Sequence, residues 1–112
     1  MEKEITFRIE LDESRMPERI EWEATDGQGV RRCHAMLLSL WDADEKTTLA
    51  IDLWTKELLV DDLNIHYFQT LMKMADTHER ATGTTEVAQL LNAFARDFAK
   101  RVQLPLPTRE AD

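Results

Sequence analysis

Thr48-Leu49-Ala50-Ile51-Asp52-Leu53-Trp54-Thr55-Lys56-Glu57-Leu58-Leu59-Val60-Asp61-Asp62-Leu63 is the stretch in which the hydrophobic period of this chain changes. Through Trp54 the period is two. Leu49, Ile51 and Leu53 fall on one side and Ala50, Asp52 and Trp54 on the other, as a β-strand requires. From Asp61 the period is helical: Leu63, Tyr67, Leu71, Met74, Ala75 and His78 recur at steps of three and four, and Ile65, Phe68 and Met72 widen the stripe. Asp61 is of the type that caps a helix N-terminus, and Gly83 can take the left-handed conformation that ends one. A second helix follows from Thr84 or Thr85. Its stripe is Val87, Leu90, Leu91, Phe94, Phe98 and Val102, and Pro105 and Pro107 are expected to stop it.

Upstream of the quoted stretch the period is two throughout. Ile5, Phe7, Ile9 and Leu11 alternate with Thr6, Arg8 and Glu10, and Ile20, Trp22 and Ala24 alternate with Arg19, Glu21 and Glu23. Between them, Asp12 to Pro17 reads as a polar turn in which Asp and Ser side chains bond local backbone. Asp26-Gly27-Gln28-Gly29 offers positive-φ positions for a tight hairpin. A third strand from about Val30 to Leu40 is apolar on both faces, with Cys33, Ala35 and Leu37 on one and Met36, Leu38 and Leu40 on the other. Asp42 to Lys46 is a turn into the strand of the opening stretch.

Strands in a run followed by helices in a run, with short connections, predict an α+β fold: a four-stranded antiparallel meander followed by two helices packed on one face. The covered face is expected to hold Phe7, Ile9, Ile20, Trp22, Leu49, Ile51, Leu53, Phe94 and Phe98. Residues 1–104 are read as a single domain and 105–112 as a flexible C-terminal tail.

At 112 residues the chain is long enough for one core without disulfides or metal. Its net charge of −8, with the acids crowded early (Glu2, Glu4, Glu10, Asp12, Glu13, Glu18), disfavours nucleic acid and anionic lipid. No segment reaches the roughly 20 apolar residues of a membrane span, and Met1 to Phe7 lacks the pattern of a signal peptide. A cytoplasmic location without membrane insertion is the expectation. Cys33 is the lone cysteine, read as a small buried strand residue rather than a reactive thiol.

The chemistry of sites is sparse. His78-Glu79-Arg80-Ala81-Thr82 begins like the zinc-binding His-Glu-x-x-His, but Thr82 stands where the second imidazole must be. His34, His66 and His78 have no ligand spacing, and Cys33 and His34 are sequence neighbours whose side chains point apart on a strand. Asp52, between Ile51 and Leu53, is the most suggestive carboxylate, read as a group on the sheet's outer face that pairs across strands or at an interface. No catalytic, cofactor-binding or metal-ligating residue is assigned. The protein-binding residues expected are Leu38, Leu40, Asp52 and Trp54, one apolar and aromatic patch with a charge on the outer face. Such a patch needs a cover, and a homodimer burying it twice is the economical solution.

Three stretches taken together carry a family resemblance: Leu38-Ser39-Leu40-Trp41-Asp42 with Leu49 to Lys56; Met74-Ala75-Asp76-Thr77-His78-Glu79-Arg80-Ala81-Thr82-Gly83; and the run from Glu10 to Gly27. They resemble the gliding-motility protein GldC family, from about Ile5 to Val102. The resemblance implies a small soluble accessory of a motility or surface-secretion machine, with protein partners in that machinery and no catalytic chemistry. A second reading is a SecB-like chaperone holding unfolded export clients, an analogy of architecture and acidity alone.

Overall fold

The computed structural model describes residues 1–105. The chain divides into two compact units, Met1–Leu58 and a second beginning at Leu59. Most of the tail predicted for 105–112 lies outside the described residues.

The first unit is all β. Strands β1 (Ile5–Leu11), β2 (Pro17–Ala24) and β3 (Arg31–Cys33) form an antiparallel sheet in that order, and β4 (Ala35–Asp42) and β5 (Thr47–Trp54) form a separate antiparallel pair. This corrects the single four-stranded meander. The long third strand read from the sequence is two strands that change partners at His34. Arg31–Cys33 pairs with β2, whereas Ala35 onward pairs with β5. At the break the His34 carbonyl accepts a bond from Thr55 N–H at 2.9 Å, one step beyond the Ala35–Trp54 pair and in line with the β4–β5 ladder. An apolar run on both faces suits such a switch, because neither face of the chain must turn toward water as it passes between sheets.

The β1–β2 hairpin follows the alternation. Phe7 lies opposite Trp22 and Ile9 opposite Ile20, while Arg8 lies opposite Glu21 and Glu10 opposite Arg19 on the charged face. There Arg8 bonds Glu23, and Arg19 bonds both Glu10 and Glu21. The register shifts near Leu11, which pairs with Pro17, so Glu18 is the extra residue of a bulge in β2. Ile20, on the middle strand, is fully buried.

The turn before β2 is organised by one side chain. Asp12 Oδ1 accepts from Ser14 N–H (2.8 Å) and Met16 N–H (3.0 Å), and its Oδ2 lies 3.6 Å from Lys56 Nζ. The Met16 N–H bond, helped by Ser14 N–H and Lys56, holds the Asp12 carboxyl below the ordinary aspartate value against a smaller opposing effect of burial. A carboxyl depressed in the folded state stabilises fully above its unfolded value, and that stability is lost as pH falls through the folded value. Unfolding free energy measured from pH 7 downward is therefore expected to fall below about pH 4, and less steeply in Asp12→Asn.

The β2–β3 connection is looser than the tight hairpin expected. The ladder ends at Trp22 opposite Arg31, Gly27 N–H bonds Ala24 O at 2.9 Å, and Gly29 alone of the two loop glycines takes a positive φ, of 89°.

The second unit is a helical hairpin, α1 (Val60–Thr82) and α2 (Glu86–Arg101). Helix α1 starts one residue before the predicted cap. Leu59 is its N-cap without a side-chain bond, and Asp61 and Asp62 instead place negative charge in the first turn. It ends as expected at Gly83, φ 77°, whose N–H bonds Glu79 O. Helix α2 stops before the prolines. Gln103 takes φ 62°, and Gln103 N–H to Lys100 O with Leu104 N–H to Ala99 O close a Schellman cap.

The fully covered positions of the two helices are small residues. Ala75 of α1 and Ala88, Ala95 and Ala99 of α2 are the buried positions, and Tyr67 stacks on Phe98 with ring centroids 6.1 Å apart. Alanine at a helix seam lets the backbones approach closely. Phe94, assigned to the core by its place in the stripe, is instead 57% exposed. Of the nine residues expected on the covered face, Ile20 is the one that is fully buried.

Candidate functional site

The β4–β5 hairpin holds the expected binding residues, and its register decides which of them meet. A connection of four residues joins Asp42 to its cross-strand partner Thr47, with Lys46 at φ 56° and its N–H on Asp42 O. That connection sets Leu38 opposite Ile51 and Leu40 opposite Leu49, but Leu37 opposite Asp52 and Ala35 opposite Trp54. Directly opposed residues share a face, and neighbours alternate. The expected patch therefore splits. Leu38 and Leu40 lie on the face of Met36, Leu49, Ile51 and Leu53, whereas Asp52 and Trp54 lie on the other, with Ala35, Leu37, Ser39, Ala50 and Trp41.

The face that keeps Asp52 and Trp54 also gains a residue the sequence reading passed over. Trp41 stands opposite Thr48 and is 64% exposed, and Trp54 is 54% exposed. Their rungs are separated along the hairpin by about 20 Å. Leu37 and Asp52 occupy the rung next to Trp54, and small Ser39 and Ala50 fill the one between. The result is a row along one face with an indole at each end and a single carboxylate within it. The signal for Trp41 was its parity with Ala35 and Leu37, obscured because large apolar residues occupy both parities from Met36 to Leu38.

Where the two sheets part, an open cleft of about 210 Å³ is lined by Arg19, Arg32, Cys33, His34, Thr55 and Glu57 among others. His34 Nε2 lies 3.0 Å from Glu57 Oε2. The Thr55 hydroxyl is buried there without a hydrogen-bond partner in the described structure. No hydrogen bond joins Cys33 to His34 among the described residues, and burial pushes the Cys33 thiol up, away from the thiolate that a nucleophile needs. Half-buried Cys33 pairs across the ladder with fully buried Ile20. Reaction of the native protein with a thiol reagent near pH 7.5 is therefore expected to run more slowly than for the unfolded chain. Cys33→Ala should fold normally.

Elsewhere, Asp76 accepts a hydrogen bond from Arg80 Nε at 3.0 Å, and that bond holds its carboxyl below the usual range. The pairing explains the Asp76–Gly83 stretch as the last turns of a capped helix. His78, the first residue of the interrupted zinc pattern, has a buried Nδ1 without a partner. Among the described residues no three His, Cys, Asp or Glu side chains are grouped to hold a metal ion, and no helix is long and apolar enough to cross a membrane.

Residues 17–104 match the family model described as gliding motility-associated protein GldC-like. The chain belongs to the GldC-like family. The match takes in both helices and every strand except β1, so the hairpin row, the Asp76–Gly83 cap and all of the cleft lining but Glu10 lie inside the GldC-like region. No curated protein and no solved structure matches the chain.

Proposed function

We propose that this GldC-like protein is a cytoplasmic, non-catalytic accessory of a gliding-motility or associated surface-secretion machine, acting by protein–protein binding and associating with itself. The observation that carries the reading is the row on β4–β5. Trp41 and Trp54 present large amphipathic side chains at the two ends of one face of the strand pair, with Leu37 and Asp52 between. Tryptophan is the residue type most enriched at interface hot spots, and a lone carboxylate among apolar groups fixes orientation rather than adding affinity. The chain's net charge of −8 suits a protein partner over nucleic acid or anionic lipid.

The test is affinity capture from gliding cells with the wild-type protein and Trp54→Ala side by side. One stoichiometric partner, lost with the variant, is the expected outcome. Many unfolded clients, equally retained by both, would favour the SecB-like chaperone reading. Capture of no protein by either would overturn the binding role.

A further inference from the structure

Among the described residues strand β1 has a backbone partner strand on one side only. Thr25 N–H bonds Glu4 O at 3.0 Å, in line with the β1–β2 register. Bonding in an antiparallel ladder alternates, so Glu4, Thr6, Arg8 and Glu10 turn their N–H and C=O groups toward β2. Ile5, Phe7, Ile9 and Leu11 turn theirs outward, and among the described residues no strand takes them up. The edge is seven residues long. It carries no proline and no lysine, and the nearby bulge lies in β2 rather than in β1. Natural edges are blunted by proline, bulges and charged side chains; of these β1 has only Arg8 and Glu10, which leaves its backbone open as a template for another strand.

We propose that a second copy of this chain is that strand: β1 pairs with β1, antiparallel about a two-fold axis at Ile9, doubling the three-stranded sheet. The inference rests on the self-association proposed above and names its surface. Charge selects the register. Outward-bonding residues must face one another, which limits the two-fold to a few centres. A centre at Arg8 sets two guanidinium groups opposite each other. A centre at Phe7 faces Arg8 with Thr6 and brings Glu4 toward Glu10 of the second copy. A centre at Ile9 sets Arg8 opposite Glu10 of the second copy twice, by symmetry, and Phe7 opposite Leu11, on the same face as Ile20 and Trp22. The edges of β4 and β5 hold no basic residue, so no register is selected there.

The experiment is sedimentation equilibrium of the full chain and three variants, with circular dichroism to establish that each is folded. The wild type is expected at twice the chain mass. Arg8→Glu should weaken the dimer on the order of tenfold or more, since two unlike pairs become like pairs. Arg8→Glu with Glu10→Arg should restore it, although the exchange worsens the contacts of Arg8 with Glu23 and of Glu10 with Arg19 inside each chain. Ile9→Pro removes an N–H that makes no bond among the described residues and should give a folded monomer. A dimer indifferent to all three variants would overturn the β1 edge and leave self-association standing. A wild type of single-chain mass at every concentration would overturn both.

Discussion

Ile20→Ala is expected to destabilise the protein by about 2–5 kcal/mol, read as a lower denaturant midpoint with an unchanged slope. Ile20 sits on the middle strand of the first sheet, between Ile9 and Cys33, and none of it is exposed. Truncation there loses transfer free energy and opens a void that the flanking strands, held in register by their ladders, cannot close. Ile20→Val should cost about 0.5–1.5 kcal/mol, which separates a packing loss from a wholesale failure to fold. Phe94→Ala should cost less than Ile20→Ala despite removing a larger side chain, because Phe94 is 57% exposed. The reverse order would return Phe94 to the core, where the helical stripe first put it.

Trp54→Ala should weaken binding to the captured partner by about 2 kcal/mol or more, as the loss of a hot-spot tryptophan does. Its melting temperature should stay near that of the wild type, since Trp54 faces only Ala35 across the ladder and is 54% exposed. Asp52→Asn, on the next rung, keeps the shape and removes the charge. Its effect on binding should be smaller and should shrink as salt rises. Trp41→Ala, at the far end of the row, is expected to weaken the same complex. A Trp54→Ala protein that binds normally and melts as early as Ile20→Ala would show that this indole serves the fold instead.

The parts of the fold that could be read from the sequence are those where one signal acted alone. In β1 and β2 every second residue is polar, so parity, pairing and the charged face follow directly. Gly83 ends α1 because an uncrowded backbone was available at the place where the stripe runs out. The misreadings fall where two signals competed or where the decisive residue is of an unremarked type. From Met36 to Leu38 no polar residue marks a face, so the register of β4 was set by the length of the Asp42–Thr47 connection, and Leu38 and Leu40 went to the side opposite Trp54. The change of sheets at His34 has no proline or glycine to announce it. Gln103 holds a left-handed cap usually given to glycine, and so α2 ends before the prolines that were expected to stop it. In the helices the large residues of the stripe mark a face, whereas the positions that become buried are the small ones, Ala75, Ala88, Ala95 and Ala99.

The length of β3 has a consequence for how the first unit opens. Three residues, Arg31 to Cys33, join β2, while β4 and β5 are zipped over eight residues each. Amide protons in a short ladder escape through local fluctuations, and those in a long one wait for the cooperative opening of the whole element. Arg31 to Cys33 should therefore take up deuterium well before Leu38 or Ile51. A transient melting of that ladder would release β3 from β2 while the β1–β2 and β4–β5 hairpins keep their own pairings, so the first unit can loosen at the His34 crease and close again.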